Sequence, residues 1–295
     1  MESLKRSNYP IYITALVFYY LSFFIRGLRW RLFLKNAQID KEISGPLPNV
    51  LICSQLVLLG WFANTISWFR MGDAYRSYLL RERCGASFPK TVGTILAEHA
   101  VDVLALMILL MVALAMVSGS SSVEGARYII WAALLLGGVV ILGLLFLRFA
   151  SSRVIQLLPQ RFKGVPLRFQ QGVLGSLRQL PLVALLSAFI WVSESFRIFL
   201  VTQALGVGVA PAFILFVTLT HALLIIVPIT PAGLGIVEAG MTGVLSLTVA
   251  PEQAVSIAIL DRSITYASVI IVGLLIFLAR YLSRAVKSLN RPARV

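Results

Sequence analysis

Apolar residues run in blocks along this chain, and the polar stretches between the blocks differ sharply in charge. Eight blocks reach or approach membrane length, at about 10–34, 46–66, 91–117, 127–149, 180–202, 209–227, 233–249 and 253–279. A helix needs about 20 residues to cross the hydrocarbon core, and 233–249 is the short one. The blocks are too long and too continuously apolar for the strands of a membrane barrel, so helices are predicted throughout. The pattern specifies an all-α fold. It reads as a single transmembrane domain over 1–295, a polytopic helical bundle of about 7–8 membrane segments with a broken or re-entrant segment near 228–240.

The polar stretches set an orientation. Segment 67–90 carries Arg70, Arg76, Arg81, Arg83 and Lys90 against Asp73 and Glu82. The connection 148–179 carries Arg148, Arg153, Arg161, Lys163, Arg168 and Arg178 without an acid, and the tail 280–295 is also purely basic. By contrast 203–208 is uncharged and 118–126 holds only Glu124. Alternating basic and neutral connections are what the positive-inside rule requires of a multi-pass protein of the cell membrane. With eight spans, both termini lie in the cytoplasm. Arg29, Arg31 and Lys35 then fall at the outer face. Either the first two blocks do not both span, or these residues serve a specific site. Within 150–179, Val154, Ile155, Leu157 and Leu158 adjoin Arg161 and Lys163, with Pro159 and Pro166 as breaks. This is either a helix on an anionic leaflet or a loop whose charges fix topology.

Composition removes the soluble alternatives. Of 295 residues 59% are hydrophobic and 13% charged, with a mean hydropathy of +0.89, against about 25% charged residues in soluble domains. The net charge of +14 would suit a nucleic-acid partner, but its confinement to the connections and tail points to membrane lipids instead. Cys53 and Cys84 form neither a disulfide framework nor a metal cluster. His99 and His221 lack metal-ligand spacing, and no Walker A pattern appears, so no cofactor or metal is implied. The first block leads into Arg26, Arg29 and Arg31 rather than a small-residue cleavage site, so no cleavable signal peptide is predicted.

Ionisable residues inside apolar blocks carry the functional signal, because they are costly at membrane depth and face a bundle interior or cavity. Asn64 ends one block, and Asp73 and Arg76 follow with helical spacing for a shared face. Such a set suits either an anionic headgroup at a cavity mouth or an interfacial cap with a surface ion pair. Glu98 and Asp102 also share a face, and a cation between them, Arg76 or Arg262, would keep both ionised. They suit a polar relay or an interhelical pair, and His99 points away from them. Glu194 and Arg197 have ion-pair spacing near the middle of a block. Residues 228–240 read PITPAGLGIVEAG. Pro228 and Pro231 interrupt the helix ladder, Gly233 and Gly235 let the backbone turn, and Glu238 follows. Broken helices of this kind expose helix ends to a substrate or ion; a tight turn between two spans is the alternative. Asp261 and Arg262 are adjacent and so face different partners, with Glu238 the candidate for Arg262, an arginine for Asp261, and Tyr266 on the Arg262 face.

In order and spacing these motifs resemble the lysylphosphatidylglycerol synthase transmembrane-region family, a flippase-like group of multi-pass proteins. The resemblance runs from Arg29-Trp30 with Leu32, through Asn64-Thr65, Gly72-Asp73 and Arg76, to Glu98-His99 with Asp102. It continues in Pro231-Ala232-Gly233-Leu234-Gly235 with Glu238, and in Asp261-Arg262 with Tyr266. It covers about residues 20–280. Asp73 stands where the family has glutamate, His99 where arginine is common, and Ala232 where a glycine is usual. Family members often have a further span before the arginine–tryptophan pair, and its lack here would place the N-terminus on the outer side or alter the first hairpin. The resemblance implies translocation of a lipid or lipid-linked substrate, with an anionic or aminoacylated headgroup in an intramembrane groove. In characterised relatives a separate soluble domain performs aminoacyl transfer, so this chain is not expected to be that enzyme. The alternatives are a non-catalytic membrane partner of a lipid-modifying or glycosyl-transferring enzyme and, less favoured, a membrane enzyme on a lipid carrier.

Overall fold

A computed structural model describes residues 8–117, 126–226 and 230–289. Among the described residues the regular elements are helical: α1 (Tyr9–Asn36), α2 (Val50–Ile66), α3 (Met71–Cys84), α4 (Phe88–Val117), α5 (Ala126–Leu145), α6 (Ser151–Leu157), α7 (Gln160–Ser176), α8 (Leu180–Ala204), α9 (Pro211–Ile226), α10 (Ile236–Leu245), α11 (Pro251–Arg262) and α12 (Ser268–Leu289). Five stretches are long and apolar enough to cross a membrane: Tyr9–Asn36, Phe88–Ala113, Trp131–Ala150, Gln160–Ala204 and Pro251–Ser283. Three shorter apolar helices, Val50–Ile66, Pro211–Ile225 and Pro231–Leu245, complete the set.

Local chemistry starts and stops these helices. Asn49 caps α2, its side-chain oxygen accepting from the Ile52 N–H at 2.9 Å, and Pro10 lies in the first turn of α1, where its missing donor is harmless. Gly85, at φ 75°, closes α3 with its N–H on the Arg81 carbonyl at 2.8 Å.

Contacts between distant residues fix the direction of each helix. At one end of the bundle Lys90 Nζ meets Glu42 at 2.6 Å, Asn36 donates to the Ser176 carbonyl at 3.1 Å, Gln170 to the Leu147 carbonyl at 2.8 Å, and Arg280 pairs with Glu82. This basic end gathers the charged connections. At the other end the Asn8 N–H donates to the Ala204 carbonyl at 2.7 Å, beside the uncharged 205–210 connection. The start of α1 and the end of α12 therefore lie at opposite ends of the bundle, which corrects the expectation that both termini share a face. Lys35 thereby comes to the basic end, and Arg31 donates to the Pro48 carbonyl at 3.0 Å, so the apparent misfit of these charges disappears.

Segment 67–90, expected as a connection, contains the helix α3 folded back along α2. Its polar sequence hid this, because Arg76 and Ser77 are buried among neighbouring helices instead of facing solvent. The hairpin is tight: a Cβ on Gly72 would overlap the Gly60 carbonyl oxygen and crowd Asn64. Gly72→Ala must push α3 off α2 and is expected to cost about 1–3 kcal/mol or more. A fall in the thermal transition of the detergent-solubilised protein would show it, and an unchanged transition would mean that the two backbones do not meet there. At 1.5 Å per residue, the 17 residues of α2 and 14 of α3 reach about 25 and 21 Å, short of the ~30 Å core. A second hairpin, α9–α10, enters from the uncharged end; Gly240 of α10 lies against Leu224 of α9.

The basic connection 148–179 is largely helical. The end of α7 buries Gly172, Val173 and Ser176, and a Cβ on Gly172 would overlap the Lys90 carbonyl of α4. Its beginning, with Arg161, Lys163 and Arg168, is mostly exposed.

Candidate functional site

The deeply placed charges fall into three groups, each electrically balanced. In the first, α1 crosses α4, and Arg29 reaches both acids on its face. It donates to Glu98 Oε1 at 2.7 Å, to the two Asp102 oxygens at 2.5 and 3.0 Å, and to Ser187 Oγ at 2.6 Å. Arg76 takes the other Glu98 oxygen at 2.6 Å, with its guanidinium 3.8 Å from the Trp30 ring centroid. The cation between Glu98 and Asp102 is thus Arg29, not Arg76 or Arg262. Spacing along one helix could not reveal it, because the partner comes from a helix about 70 residues away.

Beside this group lies the tip of the first hairpin. Asn64 Oδ1 accepts from the Gly72 N–H at 2.7 Å, and its amide lies 3.4 Å from Asp73. Asp73 does not pair with Arg76, despite the three-residue spacing. It sits 2.9 Å from His99 Nε2 and 3.2 Å from Arg70 Nε. His99 faces away from the Glu98–Asp102 face, as helical geometry requires. Phe69 and Arg70 both have φ 55°, a left-handed conformation that strains residues other than glycine.

The second group joins α1, α8 and α11. Arg26 donates to Glu194 at 2.5 Å, Arg197 holds the other Glu194 oxygen through Nε at 3.1 Å, and Arg197 also pairs with the fully buried Asp261. Arg26 stacks 4.6 Å from the Trp61 ring centroid. The Glu194–Arg197 pair was legible from spacing; that Asp261 takes an arginine was expected, but that it is Arg197 of α8 was not.

The third group is the broken segment. Pro231–Gly233 forms a single 3-10 turn, and Ala232, Gly233 and Gly235 have φ of 47°, 72° and 85°. Pro228 lies outside the described residues. Glu238 Oε2 accepts from the Gly235 N–H at 2.6 Å, capping the start of α10. Arg262 donates to Glu238 Oε1 at 2.6 Å and to the Ala232 carbonyl at 3.0 Å, with Tyr266 5.1 Å beneath it. A π-helical turn at Ser263–Ala267 follows Arg262 and leads into the last helix.

The two hairpin tips adjoin. Phe62 of α2 packs on Gly273, Arg262 lies further toward the uncharged end and holds Ala232, and α2 packs against the Pro231–Gly233 turn. Exposure separates the charged groups. The side chains of Arg29, Arg76, Glu98, Glu194, Arg197 and Asp261 are nearly sealed, whereas Arg70, His99 and Glu238 are 32%, 33% and 28% exposed. The most exposed of these groups thus lie at the two tips, with His99 of α4 beside the first. Among the described residues no three His, Cys, Asp or Glu side chains converge as a metal would need. Arg26 and Arg70 were not chosen from the sequence as site residues. Arg26 carried a usable signal, an arginine inside an apolar helix; Arg70 read as an ordinary loop charge.

A family model for the lysylphosphatidylglycerol synthase transmembrane region matches residues 1–273. The chain belongs to this family. A UPF0104 membrane protein of Methanocaldococcus jannaschii is 30% identical over 73% of this chain and 93% of its own length. A UPF0104 membrane protein of Pyrococcus horikoshii is 21% identical, covering 90% of this chain and 86% of that protein. The glycosyltransferase AglD of Haloferax volcanii is 27% identical over 88% of this chain, but the match spans 47% of that protein. No solved structure matches the chain. Membership makes it a multi-pass membrane protein and fits the five long and three shorter apolar helices.

Proposed function

We propose that the protein carries a lipid or lipid-linked molecule between leaflets, with the headgroup passing the adjoining hairpin tips while the acyl chains stay in the bilayer. One observation supports this most: hairpins from opposite ends meet within the bundle, and the reachable polar groups are Arg70 and Glu238 at their tips and His99 of α4 beside the first tip. Irregular backbone at membrane depth is tolerated only against protein or a water-filled cavity. Arg70 is the group for a phosphate, and Asp73 and Glu238 are the groups for an amine on an aminoacylated headgroup. The sealed pairs around Arg29 and Arg197 act as the frame that fixes both tips. The basic end faces the cytoplasm of the cell under the positive-inside rule, which puts the C-terminal helix end there.

The test is leaflet exchange in liposomes with headgroup-labelled anionic, zwitterionic and aminoacylated lipids. Wild type is expected to exchange one headgroup class selectively. Arg70→Ala and Glu238→Gln are expected to slow it by about tenfold, the worth of one charge-assisted hydrogen bond. Folded wild-type protein that exchanges no lipid across the panel would sink autonomous translocation.

A second reading rests on AglD. A relative whose name makes it a glycosyltransferase contains this region as about half its length, which favours a membrane partner for a glycosyl-transferring enzyme. Exchange in the absence of any other protein separates the two.

A further inference from the structure

A cleft of about 620 Å3 opens at the basic end between α2, α3 and α12, away from the hairpin tips. The buried Leu59 and the half-buried Ile276 form its inner wall, and Gln55, Glu82, Arg83 and Arg280 surround its mouth. Toward the interior it is shut: a Cβ on Gly273 would overlap Phe62, and the Phe62 and Phe277 rings lie 6.4 Å apart. It is therefore a blind pocket, not part of a path through the bundle.

Its chemistry is that of a lipid at the interface. Two guanidiniums against one carboxylate leave one net positive charge, which matches a single phosphodiester. Arg280 lies 3.6 Å from Glu82, and a phosphate between Arg83 and Arg280 would offer both guanidiniums a bidentate acceptor. Next to the mouth, Leu275, Leu278 and Leu282 of α12 are exposed and continue the apolar wall outward. A free phosphate gains nothing from Leu59 and Ile276, whereas an acyl chain does. We propose that this cleft binds an anionic membrane phospholipid, its phosphate between Arg83 and Arg280 and one acyl chain along Leu59 and Ile276. The site does not depend on translocation, because binding is read directly.

Native mass spectrometry of the detergent-purified full chain tests it, with phosphatidylglycerol, phosphatidylcholine and glycerol 3-phosphate as probes. Phosphatidylglycerol is expected to bind tightest. Arg83→Ala leaves the Glu82–Arg280 pair in place and is expected to weaken that binding by about tenfold. Ala279→Trp keeps both arginines, fills the cleft from an exposed lining position and is expected to weaken it as much. Unchanged phosphatidylglycerol binding in both variants overturns the proposal. So does equal binding of phosphatidylcholine, which would mean that the charge is not read. Competition by glycerol 3-phosphate at equal concentration would make this a free-phosphate site and would likewise overturn it.

Discussion

Arg29→Ala is expected to prevent accumulation of folded protein. The side chain is 1% exposed and makes four short bonds, two to Asp102, one to Glu98 and one to Ser187. Removing it leaves Asp102 without its cation and Glu98 with Arg76 alone. Breaking a buried pair from one side costs about 3–5 kcal/mol, because the remaining charge stays buried. That is a large share of a native margin of about 5–15 kcal/mol. Arg29→Lys keeps the charge, but its compact ammonium cannot bridge two carboxylates and a hydroxyl at fixed angles, so an intermediate loss is expected. Fluorescence-detected gel filtration after heating reads both. A transition for Arg29→Ala within a couple of degrees of wild type would remove the Glu98–Asp102 group from the frame.

Arg197→Leu is expected to be about as damaging, and Arg197→Leu with Asp261→Leu much less so. The single change leaves Asp261, fully buried, without its cation, while Glu194 keeps Arg26. The double change removes one charge of each sign and leaves the neutral Arg26–Glu194 pair. Replacing a buried ion pair with apolar side chains is often close to neutral, whereas stripping one partner is not. The coupling in a double-mutant cycle is therefore expected to be about 2 kcal/mol or more. A double variant no better than the single one would mean that Arg197 matters chiefly through Glu194.

The helices were legible in the sequence because apolar blocks of membrane length admit no other backbone. The broken segment was legible too, since Pro231, Gly233 and Gly235 fall at the junction of two apolar blocks, the second of them short. Pairs within one helix, such as Glu194 and Arg197, followed from spacing. Glu238 was a candidate for Arg262 because the adjacent Asp261 and Arg262 must each find a partner elsewhere, and the bond is there. What could not be read were pairings set by helix packing. Arg29 finds Glu98 and Asp102 because α1 crosses α4, and no periodicity encodes that. Asp73 and Arg76 part company for the same reason, each drawn to a neighbour outside its helix. The first hairpin escaped notice because α3 is polar. Hydropathy equates polar with exposed, and Arg76 and Ser77 break that equation.

The pairing of the first helix with later ones has a consequence for biosynthesis. Arg26 and Glu194 lie 168 residues apart. At about 5–20 residues per second, the ribosome needs about 8–34 s to make the second after the first. During that interval α1 carries two arginines whose acids have not all been made. Each adds about 2.5–3.5 kcal/mol to the free energy of placing an isolated helix in the bilayer. The apolar run from Ile11 to Phe24 must offset that alone, or α1 must wait at the translocon or the interface until α4 and then α8 arrive. Chain order thus makes the first helix wait for the eighth before both of its buried arginines are paired.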